Sequence, residues 1–396
     1  MPTHSEIQFH SALSTQTDLE TASRELNNAI RAQSAAPFFD LALVFFTPHY
    51  ARVGAFLAEN LRRDLTPRVL LGCTSEGVIG KTQEIENEPA IALVVAQLPG
   101  VTITPFILDA GNWDEALGDV SQFEGIVDAP LDAKIAIMIG DPFSTPMDDV
   151  LRAFNAHYPG LPVIGGMASG AQHSHGNALI LNERVHHQGA IGVTLAGNFD
   201  VDVIVSQGCR PIGKLFRVSA ARENFLLRLE NESALAQIQK LISDLSPPDR
   251  ELLRNGLFVG RAIDSTKDAL GRGDFLIRGV MGADQNSGAV AIGDVIAPGE
   301  TIQFHLRDQV TAEEDLAMML MPQSLDAPPR GALLFSCNGR GTRLYDHPNG
   351  DISIIQKILG GVNLAGFFCA GEIGPIGGKN FLHGHTASMV LFRPHT

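Results

Sequence analysis

The chain has 396 residues, enough for two or three domains with a sizeable core, and its 44% hydrophobic and 18% charged content is that of a globular protein. A formal charge of −15, from 29 lysines and arginines against 44 acids, argues against a nucleic-acid or anionic-membrane surface, because both need clustered cations. Four scattered cysteines without a Cys-x-x-Cys argue against a disulfide framework or a paired-thiolate zinc site. They read as reduced thiols. The start lacks a signal-peptide pattern, and apolar runs such as Pro89–Ala96 are too short to span a bilayer, so a cytoplasmic protein without membrane insertion is expected.

In chain order, three stretches share a plan. The first runs from the apolar segment Leu41–Tyr50 through a helix with Val53, Phe56, Leu57 and Leu61 at helical spacing. It continues to Arg68–Gly77 and returns at Ala90–Leu98. The second holds Ile135–Ser144, a helix over MDDVLRAFNAHY, the glycine-rich Leu161–Gly170 and the return Gly189–Gly197. The region Val201–Leu229 alternates as two or three further strands, and a helix begins near Ser233, with the Pro247-Pro248 pair punctuating the end of the helical region. A helix-poor fourth copy is read over Leu257–Asp308. The third clear copy holds Gly331–Gly341, the helix Ile352–Gly361, Leu364–Gly374 and the return His385–Phe392.

Each copy predicts strand, helix, strand, glycine turn, strand. The expected fold is therefore α/β, a pseudo-symmetric two-domain protein of repeated strand-helix-strand-strand units whose sheets are covered by helices. The boundary is set at 1–220 and 221–396, with two units in the first domain and one clear and one degenerate unit in the second. Duplication also accounts for two similar loops, LLGCTSEGVIG at Leu70–Gly80 and GFFCAGEIGPIG at Gly366–Gly377, each with Cys-x-x-Glu before a glycine-rich exit. On this reading Gly72, Gly165 and Phe368 occupy nearly equivalent positions.

The motifs HSALST (His10–Thr15), GCTSEG (Gly72–Gly77), GGMASG (Gly165–Gly170) and QGCRPIG (Gln207–Gly213) occur in order. They continue with FHLRD (Phe304–Asp308), LLFSCNGRG (Leu333–Gly341) and GFFCAGEIGPIGG followed by LHGHTAS (Gly366–Ser388). Together they resemble the FIST family, a tandem of FIST N-terminal and FIST C-terminal domains, over nearly the whole chain. The resemblance implies a bacterial-type sensory protein that binds a small ligand such as an amino acid. Eukaryotic relatives carry an F-box ahead of the pair, and none is expected here. With no kinase, cyclase or methyl-accepting segment expected within the chain, the signal would pass to a separate partner such as a kinase, cyclase or chemoreceptor. Some members resemble haem-binding nitric-oxide sensors, which leaves a haem or metal gas sensor as an alternative, although no cofactor is assigned.

Candidate ligand groups cluster in the glycine turns. Glu372 and Glu76 are carboxylates suited to a ligand ammonium, or alternatively caps for turn amides. Arg340 suits a ligand carboxylate, with an internal ion pair as the rival role. Gly371, Gly374 and Gly166 shape the turn, beside Ser169. Cys369, Cys73 and Cys337 stand at strand ends, with His383 a candidate neighbour of Cys369. Nucleophilic cysteine chemistry is a further alternative, against buried thiols acting as small hydrophobes. The pairs His173/His175 and His383/His385 have two-residue spacing but sit near turns, where a shared metal is disfavoured. No phosphate-binding loop, dinucleotide fingerprint, nucleophile elbow or zinc-protease motif is present. Hence no catalytic or metal-binding residue is assigned.

Overall fold

The computed structural model describes residues 6–395 apart from 110, 112, 268 and 272. The chain forms two compact units, one of Met1–Val205, Leu316–Leu382 and Thr386–Thr396, the other of Ser206–Asp315 and His383–His385. Both expected sequence domains contribute to the first unit.

In the first unit, three apolar strands each lead through a crossover helix to a parallel neighbour. Strand Phe39–Phe46 passes through helix Gly54–Leu65 to Pro67–Thr74. Strand Ala133–Gly140 passes through Met147–His157 to Val163–Met167, and Gly331–Cys337 through Gly350–Leu359 to Leu364–Cys369. Continuous burial along these strands explains their unbroken apolar runs, since helices cover one face and a shared core the other. The return strands Ile91–Gln97, Ala190–Gly197 and Thr386–Pro394 each pair antiparallel with the first strand of their unit. An edge strand joins each return strand: Gln8–Ser14, Val101–Leu108 and Phe199–Gln207.

Each unit gives its short hairpin to another unit. Gly77–Ile79 with Glu84–Glu86, from the first, completes the third sheet, while Leu179–Leu181 with Arg184–His186, from the second, completes the first. Glu372–Ile376 with Lys379–His383, from the third, completes the second. The three six-stranded sheets thus have one strand order and a cyclic exchange of hairpins. Their inner faces meet in one core that includes Phe45, Leu71, Ile137, Ile164, Phe335 and Phe367. Helices lie on each outer face, with Leu57 and Leu61 on the first, Val150 and Phe154 on the second, Ile352 and Ile355 on the third.

The repeat register is set where the two parallel strands approach most closely. Gly72 pairs with Val44, Gly165 with Met138 and Gly366 with Leu334; a Cβ at each glycine would stand within 2.2 Å of its partner's carbonyl oxygen. The equivalent of Gly72 and Gly165 is therefore Gly366, two residues before the expected Phe368. The hairpins agree: Ile79, Ile180 and Ile373 pair with Gly366, Gly72 and Gly165 respectively. Counting from these anchors, Cys73 corresponds to Phe367 and Glu76 to Ala370. The two Cys-x-x-Glu spellings are alike in letters and two residues out of step in space.

The second unit is a closed antiparallel barrel. Its order runs Cys209–Arg222, Thr301–Arg307, Leu257–Ala262, Phe275–Ala283, Val290–Ile292 and Phe225–Leu229, which pairs back onto the first strand. The stretch read as a fourth copy lies here. Leu257–Ala262 pairs antiparallel with both neighbours and, among the described residues, no crossover helix separates them, so it lacks the parallel pair that defines the other three. Ser233 caps helix Ala234–Asp244 as expected, whereas Pro247 begins a further short helix, Pro247–Leu252, because proline suits the first helical turn. In sequence the barrel is an insertion in the third unit, between its edge strand and helix Gln309–Leu320.

Candidate functional site

The parallel strand pairs end together, and their exits carry most of the expected site residues. Thr74, Met167 and Cys369 close the second strands. Ser169, from the second unit, accepts the Glu76 N–H of the first at 2.9 Å and donates its hydroxyl to the Phe368 carbonyl of the third. All three units are joined at that one side chain.

Glu372 begins its hairpin strand opposite Gly166 and is fully buried. Its Oε2 accepts both the Thr386 N–H at 3.1 Å and the Thr386 hydroxyl at 2.9 Å; Oε1 meets no N–H or O–H donor among the described residues, and the Cys337 thiol is a further hydrogen-bond partner of the carboxyl. Burial pushes the carboxyl up to about 8, with the Thr386 bonds and the neighbouring Cys337 thiol pulling the other way. Gly166 is required by packing, since a Cβ there would sit 2.3 Å from the Cys369 sulfur. Gly371 has φ +145° and gives its carbonyl to Met167 N at 2.8 Å. Gly374 packs against Ser388, where a Cβ would lie 2.6 Å from the hydroxyl.

Cys369 and Cys73 are fully buried, and burial raises both thiols well above the usual range. Glu372, Cys73 and Cys337 also act electrostatically on Cys369, which places three thiols and one carboxyl in a single neighbourhood. Cys337 is 6% exposed, and its sulfur accepts the Gly339 N–H at 3.4 Å.

Arg340 lies inside the fold and is paired there. Its guanidinium is completely buried and forks onto Asp351, Nε to Oδ2 at 2.9 Å and one terminal nitrogen to Oδ1 at 2.6 Å, with the Tyr345 hydroxyl at 2.8 Å. Asp351 already supplies the carboxylate that Arg340 was expected to find in a ligand. Burial opposes the charge on each member of this pair, yet their mutual attraction holds Arg340 well above and Asp351 below their ordinary values. Ser336 donates to Asp351 at 2.7 Å. Glu84, from the first unit's hairpin, accepts the Ile352 N–H at 2.8 Å; burial and then Asp351 push it up to about 8.

The more accessible arginine is Arg343, half-exposed and paired with the partly exposed Glu76, whose other oxygen accepts from Asn338 at 3.2 Å. The sequence offered both arginines three residues apart. What separates them is Asp351 and Tyr345 closing over one, which no local pattern announces. His383 is buried at the end of Lys379–His383, and the following His385 has φ +62° with its ring 4.3 Å from Phe258. His175 has φ +62° as well, so neither His-x-His pair lies along a strand. Among the described residues no group of three or more His, Cys, Asp or Glu side chains is arranged to hold a metal ion, and no helix is long and apolar enough to cross a membrane. At the opposite end of the first sheet, a cavity of about 640 Å³ is lined by residues including Gln33, Phe38, Asp40 and Arg68.

Comparison with known proteins identifies the scaffold. The chain is 36% identical over 383 residues to an uncharacterized protein of Mycobacterium tuberculosis, covering 96% of this chain and 98% of the relative. An uncharacterized protein of Mycobacterium bovis is 35% identical over 381 residues, with 96% and 97% covered. A solved cyanuric acid hydrolase aligns over 98% of this chain and 100% of its own, at 10% identity and a TM-score of 0.31, a likeness too slight to support any inference. The FIST N domain model matches residues 40–232 and the FIST C domain model matches 234–375. The chain belongs to the FIST family.

Proposed function

We propose that this protein is a cytoplasmic sensory protein that binds an amino acid or similar amine-bearing metabolite where the three strand exits meet, and passes the signal to a separate partner. FIST domains are sensory domains, which supports the general class. The observation that carries the specific reading is the Glu372 carboxyl: fully buried, held by Thr386 through Oε2, and otherwise met only by the Cys337 thiol, a weak donor. A desolvated carboxyl gains most from an ammonium group, because the cation restores its charge and donates more strongly than a thiol. Arg343 and Glu76, at the partly exposed rim, supply the groups that a ligand carboxylate and amine meet first.

Entry of a ligand requires the rim to open, so binding would order the turn and join the three units more firmly. A thermal-shift screen against amino acids and amine metabolites tests the reading, with Glu372→Gln as the decisive variant. Binding that is weakened about 10- to 100-fold in the variant, as charged hydrogen bonds warrant, supports it. A ligand that binds both proteins equally points away from Glu372 and toward another cavity, such as that beside Arg68.

A further inference from the structure

We propose that Cys337 and Cys369 form a peroxide-sensitive dithiol that closes reversibly to a disulfide. This modification site does not rest on the small-ligand reading.

The two cysteines are the last residues of neighbouring parallel strands and are register partners. Side chains alternate along a strand, so Cys337 shares a face with Leu333 and Phe335, and Cys369 with Ala365 and Phe367; those four and Cys369 all point into the central core. Adjacent strands stand roughly 4.7–4.9 Å apart, within the roughly 4.4–6.8 Å Cα separation that a disulfide spans. Both residues sit where the chain leaves the ladder, with Asn338 N–H bonded to the Cys369 carbonyl at 2.8 Å. A small shift there brings the sulfurs together.

The two thiols are unequal. Cys369 is fully enclosed, and burial first, then Glu372, Cys73 and Cys337, disfavours its thiolate. Cys337 has slight exposure, a backbone N–H on its sulfur and electrostatic contact with the Arg340 and Arg343 guanidiniums. Its slight exposure makes Cys337 the thiol that peroxide reaches first. Glu372 lies beside the Cys337 thiol as a hydrogen-bond partner.

The Cys337 sulfur attacks one oxygen of hydrogen peroxide and the O–O bond breaks. The departing hydroxide takes up the thiol proton and leaves as water, giving the sulfenic acid of Cys337. The Cys369 sulfur then attacks the Cys337 sulfur, forming the S–S bond and expelling the hydroxyl, which leaves as water with the Cys369 proton. Two thiols lose two electrons in all and one peroxide becomes two waters. Cys73, also near Cys369, is the competing partner.

The test treats the reduced full-length protein with hydrogen peroxide, unfolds it in an alkylating reagent and maps the linked peptides. A Cys337–Cys369 link that dithiothreitol reverses is expected, with Cys209 remaining alkylated. Cys369→Ser should stop at a dimedone-reactive Cys337, Cys337→Ser should abolish the link, and Cys73→Ser should leave it unchanged. A link joining any other pair, or oxidation of Cys337 to the sulfinic acid with no link, overturns the proposal. The wild-type peptide map decides this by itself, so a variant that fails to fold does not block the test.

Discussion

Glu372 and Arg340 both stand at glycine-rich loops and both are fully buried, and their partners separate their roles. Arg340 is paired in charge with Asp351, with one terminal nitrogen left without a hydrogen-bond partner among the described residues, whereas Glu372 is held by Thr386 and the Cys337 thiol. Because Oε2 alone accepts both Thr386 donors, glutamine can keep those bonds through its carbonyl and place its NH₂ where Oε1 stood. Glu372→Gln should therefore fold. Its effect should appear in the pH dependence. Glu372 titrates at about 8 folded and near 4.5 unfolded, so between those values the folded state holds a proton that the unfolded chain has released. Stability then falls as pH rises through that window, by up to about 1.4 kcal/mol per pH unit for one group. Urea unfolding from pH 5 to pH 8 should show this decline, with a shallower slope in Glu372→Gln. Glu84, also at about 8, should keep the variant's slope from vanishing. Parallel slopes for wild type and variant would show that the Glu372 carboxyl is ionised in the folded protein.

At the scale of single elements, the parallel strand pairs, crossover helices and return strands could be read from sequence because each is local and marked by periodicity. The hairpins could not be placed. Gly77–Ile79 pairs with Leu364–Cys369, nearly three hundred residues away, and a short polar hairpin carries no sign of which sheet it will join. Two acids hold this exchange. Glu84 accepts from Ile352 N at the start of the third unit's helix, and Glu86 accepts from Thr342 N and hydroxyl at 2.9 and 3.0 Å. Beneath them lies the Arg340–Asp351 pair. Removing one member of a buried pair strands the other charge, at about 3–5 kcal/mol. Asp351→Asn should lower the urea-unfolding free energy by about that much. Arg343→Ala, which opens an exposed pair, should cost less than about 1 kcal/mol. Equal small losses for both would show that the buried pair contributes little to stability.

Across the whole chain, the three sheets of the first unit share one core, and each borrows its last two strands from another unit. The linear division at residue 220 cuts through this arrangement. A fragment of residues 1–220 would lack Leu333, Phe335, Phe367, Cys369, Val390 and Phe392 from the central core, and Glu372–Ile376 from the second sheet. It should lose cooperative unfolding and near-ultraviolet dichroism, while residues 206–315, most of the closed barrel, should retain protected amides in hydrogen exchange. A fragment 1–220 that unfolds in one sharp transition would contradict the interlocked core. The Leu257–Asp308 part of the barrel resembles a fourth copy in sequence because its strands also lie between glycine turns. Only its antiparallel pairing reveals the difference, and pairing direction leaves little mark on a short strand.

The proposed role depends most directly on calorimetric or thermal-shift titration of wild type and Glu372→Gln with amino acids and amine metabolites at pH 7. A ligand binding only the folded state should stabilise wild type by about 2.7 kcal/mol at one hundred times its dissociation constant. The same ligand at the same concentration should stabilise Glu372→Gln far less, with both unliganded proteins equally folded. Equal stabilisation of the two, or no stabilisation of wild type by any amine-bearing ligand, would contradict the role assigned to Glu372.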